Sequence, residues 1–119
     1  MPSRDEVLDY LREISTRTEL LGVTIGLFGS YARNRYNSNS DIDVVFKTYH
    51  NSSIDEFNIM WYIEDSIKNK FGIPCDIANY EILEDKHREL VEYAEKYGDE
   101  SVGEDSVFNT MQRDVIWVG

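Results

Sequence analysis

The sequence predicts a single α/β domain, residues 1–119, in which helices cover a mixed β-sheet. Its 119 residues are 41% hydrophobic and 13% aromatic, which suits one globular domain with its own core. Segments with apolar residues at helical spacing alternate with short apolar runs that are typical of strands. Most connections between those runs contain a helix, which favours a helix-covered sheet, whereas the short first connection permits an antiparallel pair.

The N-terminal segment predicts a helix followed by a strand. Ser3 and Glu6 form a Ser-x-x-Glu capping box, which places the start of the helix at Arg4. Gly22 supplies the expected C-cap, and the mostly apolar run at residues 23–28 then predicts a central strand. The residues that recur at helical spacing define the expected buried stripe: Val7, Leu11, Ile14, Thr18 and Leu21.

The next segment combines a glycine turn with two alternating aspartates. Residues 29–33 predict a turn that opens a short helix, and the polar residues 34–39 predict an exposed loop. A strand follows, ending near Lys47, in which Asp41 and Asp43 alternate with apolar residues. Side chains two positions apart project from one face of a strand, so these carboxylates are expected side by side. The apolar side chains that would point into the core are Ile42, Val44 and Phe46.

A second long helix and two more strands complete the predicted fold. Ser53 and Glu56 form another capping box, which starts the helix at Ile54, and Gly72 ends it. We expect its apolar side chains to pack in the core: Met60, Ile63, Ile67 and Phe71, flanked by Phe57 and Trp61. The remaining predicted elements are a strand at 73–78 with Pro74 near its start, a helix at 81–97 ended by Gly98, an acidic loop at 99–105 and a terminal strand at 115–118.

The charge balance restricts the classes of partner. Acidic residues number 23 against 12 basic ones, which gives a net charge of −11. A nucleic-acid binder needs a basic surface, so this balance argues against one and favours a bound cation or a basic protein partner. No apolar run approaches the roughly 20 residues of a membrane span, and the charged N-terminus is unlike a signal peptide. The single cysteine, Cys75, excludes an intrachain disulfide, and we expect a cytoplasmic protein.

Three aspartates and a glycine-serine turn are the strongest candidates for a functional site. Neighbouring carboxylates such as Asp41 and Asp43 repel each other unless a cation lies between them or one is protonated. Asp76 lies in an otherwise apolar strand, where an unpaired buried carboxylate is energetically costly. A hard cation such as Mg²⁺ would satisfy all three carboxylates, although an arginine partner would also satisfy Asp76. The backbone N–H groups of the turn and the Ser30 hydroxyl beside Gly29 suit a phosphate.

These residues resemble a known family of enzymes. The run Gly29-Ser30-Tyr31-Ala32-Arg33, then Ser40-Asp41-Ile42-Asp43 and the later Asp76, is similar to the motif of the nucleotidyltransferase superfamily that includes DNA polymerase beta. The short chain resembles the minimal, MNT-type branch, whose members pair as antitoxins with HEPN-domain toxins. Asn34 departs from the glycine usual at that position, but asparagine tolerates left-handed backbone geometry, so we expect the turn to survive.

The resemblance implies a role for each residue of the motif. The fold would be a small nucleotidyltransferase-like domain, with ATP as substrate and two Mg²⁺ ions as cofactor. An acceptor hydroxyl would attack the α-phosphorus of ATP, and pyrophosphate would leave in line. Arg33 and Ser40 would contact the nucleotide, although packing across the turn is an equal alternative for Arg33. The metal-binding and catalytic residues would be Asp41, Asp43 and Asp76, and the β- and γ-phosphates would lie on Gly29 and Ser30.

The favoured hypothesis is an adenylyltransferase that modifies a tyrosine hydroxyl of a HEPN-type toxin with AMP. A chain of this length has little room to enclose a separate substrate, so a protein partner is expected to complete the site. The alternatives are an antitoxin that neutralises its partner by binding alone, transfer to a small molecule such as an aminoglycoside, and a catalytically inactive relative. Among the other candidates, Tyr31 and Tyr36 flank the phosphate loop and could stack on a nucleobase, whereas His87 is expected to be solvated.

Overall fold

Helices and strands follow the order expected from the sequence, with one additional helix near the C-terminus. The structure, a computed structural model, describes residues 1–48, 55–98 and 106–118. The bounds of its elements are α1 Arg4–Ser15, β1 Val23–Phe28, α2 Gly29–Ala32, β2 Ile42–Thr48, α3 Glu56–Phe71, β3 Cys75–Asn79, α4 Tyr80–Tyr97, α5 Val107–Asp114 and β4 Ile116–Val118, with a single 3₁₀ turn at Thr18–Leu20. The predicted capping box of Ser3 and Glu6 is present at the start of α1.

The four strands form one mixed sheet in the spatial order β3-β2-β1-β4. The short connection pairs β1 with β2 antiparallel, and β4 is antiparallel to β1 on its other side. Strands β2 and β3 are parallel, which requires the long crossover that contains α3. A mixed sheet covered by helices was the predicted fold class, and the structure confirms it.

The larger part of the core lies on the sheet face covered by α1 and α3. Ile42, Val44 and Phe46 of β2 are fully buried there, as the alternating pattern predicts. Helix α1 contributes Val7, Leu8, Leu11 and Ile14 to the same cluster, and α3 contributes Ile59, Ile63 and Ile67. Burial of these aliphatic side chains therefore stabilises the packing of α1 and α3 on the sheet.

The opposite face of the sheet is covered by α4 and α5. Val45 points to this face and pairs in register with Gly26 of β1, which in turn pairs with Trp117 of β4. The Trp117 ring lies 5.9 Å from that of Tyr80 in α4, and the Tyr80 ring lies 5.5 Å from that of Phe108 in α5. Aromatic edge contacts thus connect both C-terminal helices to the sheet.

Helix α1 is shorter than the sequence predicts. It ends at Ser15, with Thr16 as C-cap, so the C-cap predicted at Gly22 is wrong. The Ser15 and Thr16 hydroxyls donate hydrogen bonds to carbonyls of the last turn. These local bonds compete with continuation of the helix. The predicted stripe is therefore wrong beyond Ile14, because Thr18 and Leu21 are exposed and Leu20 is buried instead.

Helix α3 has a different buried face from the predicted one. Its buried residues are Ile59, Ile63 and Ile67, at i, i+4 and i+8, with Met60 and Phe71 partly buried beside them. Phe57 and Trp61, expected in the core, are 83% and 66% exposed. The N-cap is Asp55, which accepts a hydrogen bond from the N–H of Phe57, so the start predicted at Ile54 is wrong. The predicted cap Ser53 lies outside the described residues.

The C-terminal helices end and begin at local signals. Gly72 and Gly98 adopt the left-handed conformation at the ends of α3 and α4, as expected for C-caps. The predicted acidic loop at 99–105 lies outside the described ranges. Helix α5 was not predicted, and it begins after Ser106, whose hydroxyl caps it and lies 2.8 Å from Nδ1 of His87. His87 was expected to be solvated, and this is wrong, because its ring forms that hydrogen bond and stacks on the ring of Phe108.

In the part of the chain that the structure describes, no helix has the length and apolar character needed to cross a membrane.

Candidate active site

The central strands bring two of the three predicted aspartates into direct register. Asp43 in β2 lies between Phe28, the last residue of β1, and Asp76 in β3. Register partners project from the same face of a sheet, so Asp43 and Asp76 face the side covered by α4 and α5. Asp41 immediately precedes the first residue of β2 instead of lying inside the strand, and both Asp41 and Asp76 are exposed.

The charges of these three aspartates interact. Burial raises the pKa of Asp43 from its ordinary 3.8 to about 6, the negative charges of Asp76 and Asp41 add to the rise, and Arg33 opposes it. Within the described ranges, none of the three carboxylates forms a hydrogen bond or an ion pair with another side chain. The end of the sheet at which β2 and β3 begin, here called the carboxylate edge, thus carries three carboxylates that contact no positively charged side chain among the described residues.

Gly29 lies directly against the Asp43 carboxylate. Its φ of +72° is in the left-handed region, and a Cβ built on Gly29 would overlap the Oδ2 atom of Asp43. Glycine is needed for both reasons, because it has no Cβ and reaches positive φ at no steric cost. The chain therefore passes from β1 into α2 in close contact with the carboxylate.

Helix α2 is a single turn that ends in a left-handed residue. Asn34 has a φ of 59°, and hydrogen bonds from the Asn34 and Arg35 N–H groups to the carbonyls of Tyr31 and Ser30 close the turn. The turn thus survives the asparagine, as expected from its tolerance of this conformation. Ser30 is half-buried, and its hydroxyl makes no hydrogen bond to another described residue.

Two residues that were predicted to contact the nucleotide form bonds to other residues of the chain. Arg33 Nη1 forms an ion pair with Asp114 Oδ2 at 2.6 Å, which joins the end of α2 to the end of α5. The Ser40 hydroxyl accepts a hydrogen bond from the N–H of Asn37 at 2.9 Å within the polar loop. For Arg33, the alternative of pairing across the turn is not what the structure displays, because its partner belongs to α5; contact with a nucleotide stays a prediction for both residues.

Tyr31 of α2 and Tyr36 of the following loop stack on each other. The rings of Tyr31 and Tyr36 are parallel with centroids 4.1 Å apart, and Tyr31 is fully buried with its hydroxyl donating to the carbonyl of Pro2. Burial raises the pKa of Tyr31 above its ordinary value, and Tyr36 adds to the rise. Stacking of Tyr31 on a nucleobase, considered from the sequence, is therefore wrong.

Cys75 and Asp114 complete the surroundings of the site. Burial raises the pKa of the Cys75 thiol far above its ordinary value, which agrees with a packing residue and not a nucleophile. Asp114 is the residue that sequence reasoning missed. No local signal identifies it, because it reaches Arg33 across 81 positions of the chain.

The donor chemistry of the three aspartates fits a divalent cation of the Mg²⁺ type. All their ligand atoms are oxygens, which Mg²⁺ prefers, and a bound cation opposes the repulsion that raises the pKa of Asp43. As the side chains stand, no group of three or more His, Cys, Asp or Glu residues in the described ranges is arranged to hold a metal ion. Metal binding by Asp41, Asp43 and Asp76 therefore stays a prediction.

Comparisons with known proteins give one matching family and a similar solved structure. A family model described as "Nucleotidyltransferase domain" matches residues 4–98, a range that contains every predicted site residue and ends before α5 and β4. A crystal structure described as "the toxin-antitoxin with AMP-PNP" is similar, with 20% sequence identity and a TM-score of 0.47. The similarity covers 67% of this chain and 59% of the chain in the crystal structure, so this chain spans less than two thirds of the length of that protein. No curated protein matches the chain.

Proposed function

Because this chain belongs to the nucleotidyltransferase domain family, we propose that it transfers AMP from ATP to a hydroxyl group of a protein partner. One observation carries the proposal. Asp41, Asp43 and Asp76 gather negative charge at one end of the central strands, beside the Gly29 turn, and no described side chain forms a hydrogen bond or an ion pair with them. Such an edge suits a cation and the phosphates that accompany it.

Each residue of the edge has a part in the proposed transfer. Asp41, Asp43 and Asp76 would hold two Mg²⁺ ions, which when bound stabilise the attacking and departing oxygens. Asp76, exposed and in register with Asp43, accepts the proton of the acceptor hydroxyl. Gly29 and Ser30 hold the β- and γ-phosphates through backbone N–H groups and the hydroxyl, and these phosphates leave as pyrophosphate.

The proposed acceptor is a hydroxyl of a HEPN-type toxin, which makes this chain the antitoxin of the pair. The exposure of Asp41 and Asp76 leaves the carboxylate edge open to a residue presented by another protein. Attachment of AMP to a tyrosine would add a charged group to the toxin and disable it. The partner and the acceptor residue follow from the resemblance of the motif to the minimal nucleotidyltransferases.

Transfer of a labelled phosphate tests the reaction. The chain is incubated with ATP labelled on its α-phosphate, Mg²⁺ and the HEPN-type protein, and label on the partner is measured. We expect the label to appear with the wild type and to be lost in Asp41→Ala/Asp43→Ala. The matched control is Asp9→Ala/Asp85→Ala, which removes two exposed carboxylates elsewhere and should leave labelling unchanged. Absence of label, or equal label with both double variants, would refute the transfer.

Neutralisation by binding alone is a second candidate function. It is favoured by the ion pair of Arg33 with Asp114 and the hydrogen bond of Ser40 with Asn37, which engage two residues that were predicted to contact the nucleotide. If binding suffices, Asp41→Asn/Asp43→Asn relieves toxin-induced growth arrest as well as the wild type does. Loss of protection in that variant, with the protein still expressed and folded, would exclude this alternative.

A further inference from the structure

The C-terminal helix α5 reaches the turn that begins at Gly29. It contacts α2 and β1, and its last residue, Asp114, forms the 2.6 Å ion pair with Arg33, the C-cap of α2. The family model matches residues 4–98, so Asp114 lies outside the part of the chain that the model covers. The role of Asp114 therefore has to follow from its contacts in this structure.

Asp114 is held in place by packed residues on both sides. Met111, three positions earlier in α5, is fully buried, and its carbonyl accepts a hydrogen bond from the N–H of Val115 at 2.8 Å. The Val115 side chain packs so closely on β1 that a Cβ built on Gly26 would lie 2.7 Å from its Cγ2 atom. The Asp114 side chain is only 16% exposed, and its carboxylate thus has a fixed position relative to the sheet.

Arg33 lies between the Gly29 turn and the carboxylate edge. Its N–H donates a hydrogen bond to the carbonyl of Gly29 at 3.1 Å, and Gly29 lies directly against Asp43. The positive charge of Arg33 also opposes the rise in the pKa of Asp43, so the guanidinium is near that carboxylate. Within the described ranges it nevertheless pairs with Asp114 and with none of the three aspartates of the edge.

The ion pair leaves most of the Arg33 guanidinium free. A guanidinium has five N–H donors in one plane, and among the residues that the structure describes only its Nη1 atom forms a hydrogen bond. The Arg33 side chain is 43% exposed, which leaves it open to a second oxyanion. Phosphate oxygens suit such a planar set of donors, because two parallel hydrogen bonds can form.

We propose that Asp114 is a positioning residue, which holds Arg33 beside the Gly29 turn so that its free N–H donors bind a phosphate of the substrate. An arginine side chain that is fixed before the substrate arrives loses less entropy on binding than a mobile one. The same pair keeps Arg33 from neutralising the carboxylate edge, which stays available to a cation. The inference rests on the proposed function, because it requires a nucleotide at this site.

Binding of inorganic triphosphate in the presence of Mg²⁺ tests the inference without the transfer reaction. Calorimetric titration compares the wild type with Asp114→Asn, which removes the charge at nearly the same size, and with Asp114→Glu, which keeps the charge. We expect Asp114→Asn to weaken binding by about tenfold, as is typical of residues that orient a binding group, and Asp114→Glu to restore part of the affinity. Arg33→Ala should weaken binding at least as much, and adding Asp114→Asn to it should have no further effect.

The chain offers a matched control in α4. Asp85→Asn removes the same charge from the exposed ion pair with Arg88 and should change the affinity for triphosphate by less than about twofold. Circular dichroism and Tm establish that each variant is folded. In the transfer reaction, Asp114→Asn should raise KM for ATP more than it lowers kcat, a division that a general loss of stability does not produce.

Several results would overturn the inference. They are an unchanged affinity in Asp114→Asn, equal weakening by Asp114→Asn and Asp85→Asn, and no binding of triphosphate by the wild type. Tighter binding by Asp114→Asn would also contradict it, by showing that Asp114 competes with the phosphates for Arg33. Binding of triphosphate without label on the HEPN-type protein would refute the proposed transfer alone, so the failures of the two proposals are distinguishable.

Discussion

The contact between Gly29 and Asp43 links the backbone of a turn to a carboxylate. A β-carbon at position 29 has no free space, because the Asp43 side chain occupies it. Gly72 has nearly the same backbone conformation, with a φ of 69° against 72°, but a Cβ there would meet nothing within 4 Å. The two glycines therefore separate the effect of backbone strain from the effect of displacing the carboxylate.

Substitution of these two glycines by alanine should give different results. Each substitution places a non-glycine residue at positive φ, at a cost of about 1 kcal/mol in the free energy of unfolding. Gly29→Ala should lose about 1–3 kcal/mol more, since it overpacks against Asp43, and should also abolish the binding of ATP that we propose for this turn. Thermal unfolding and calorimetric titration with ATP measure the two effects. Equal destabilisation by Gly29→Ala and Gly72→Ala would show that the contact is unimportant.

The raised pKa of Asp43 predicts a stability that depends on pH. Between its ordinary pKa of 3.8 and the folded value of about 6, the folded chain holds a proton that the unfolded chain has released. The favourable contribution of this proton is complete below pH 4 and is lost as the pH rises through about 6. Asp43→Asn should therefore be more stable than the wild type at pH 7.5, by about 1 kcal/mol after solvent screening, and equally stable at pH 4.

Denaturant titration of both proteins in metal-free buffer checks this difference. The stability gained by Asp43→Asn should appear between pH 4 and pH 7 and remain constant above that range. A stability difference that does not change with pH would mean that the Asp43 carboxylate has an ordinary pKa in the folded chain.

At the scale of the elements, one ion pair joins α2 to α5. The Asp114 side chain is only 16% exposed and that of Arg33 43%, whereas the Arg88 to Asp85 pair within α4 is exposed on both sides. Asp114→Asn should lower the free energy of unfolding by about 1 kcal/mol, and Asp85→Asn by less than about 0.5 kcal/mol. Chemical denaturation of both variants measures the difference. Equal losses of stability in the two variants would show that the pair of Arg33 with Asp114 contributes no more than an exposed ion pair.

Elements with local signals were predictable from the sequence, and their packing was less so. The start of α1 at Arg4 and the ends of α3 and α4 at Gly72 and Gly98 depend on caps that neighbouring residues provide. The buried face of α3 depends on which side meets the sheet, and the pattern around Phe57 does not contain that information. Helix α5 was missed although Ser106 caps it and Phe108 and Met111 recur at helical spacing, because eight residues are too few to separate these signals from those of a loop.

Parts of the candidate site were also predictable from local sequence, and other parts were not. The position of Asp43 was predictable because it alternates with apolar residues, and the turn at Gly29 because it directly follows an apolar run. The register that places Asp76 opposite Asp43 depends on the parallel pairing of β2 with β3, which is a property of the tertiary fold. The pairing of Arg33 with Asp114 depends on α5 and could not be predicted for the same reason.

For the whole molecule, the net charge of −11 predicts a response to salt that separates screening from binding. NaCl should raise Tm by reducing self-repulsion. Mg²⁺ should raise it further than Na⁺ at equal ionic strength, because a cation that binds only the folded chain stabilises it by mass action. Asp41→Asn/Asp43→Asn should remove the additional effect of Mg²⁺ and keep the effect of Na⁺. Equal shifts with both salts in the wild type would exclude a specific metal site.

The shared space of Gly29 and Asp43 also constrains the order in which the two positions can evolve. A side chain at position 29 is harmful while the Asp43 carboxylate is present, but shortening Asp43 to alanine removes the oxygen that a new Cβ would meet. The same mutation at position 29 thus has different effects in the two backgrounds, which is epistasis. In a lineage that loses the carboxylate, we expect position 43 to change first and Gly29 to be retained for longer.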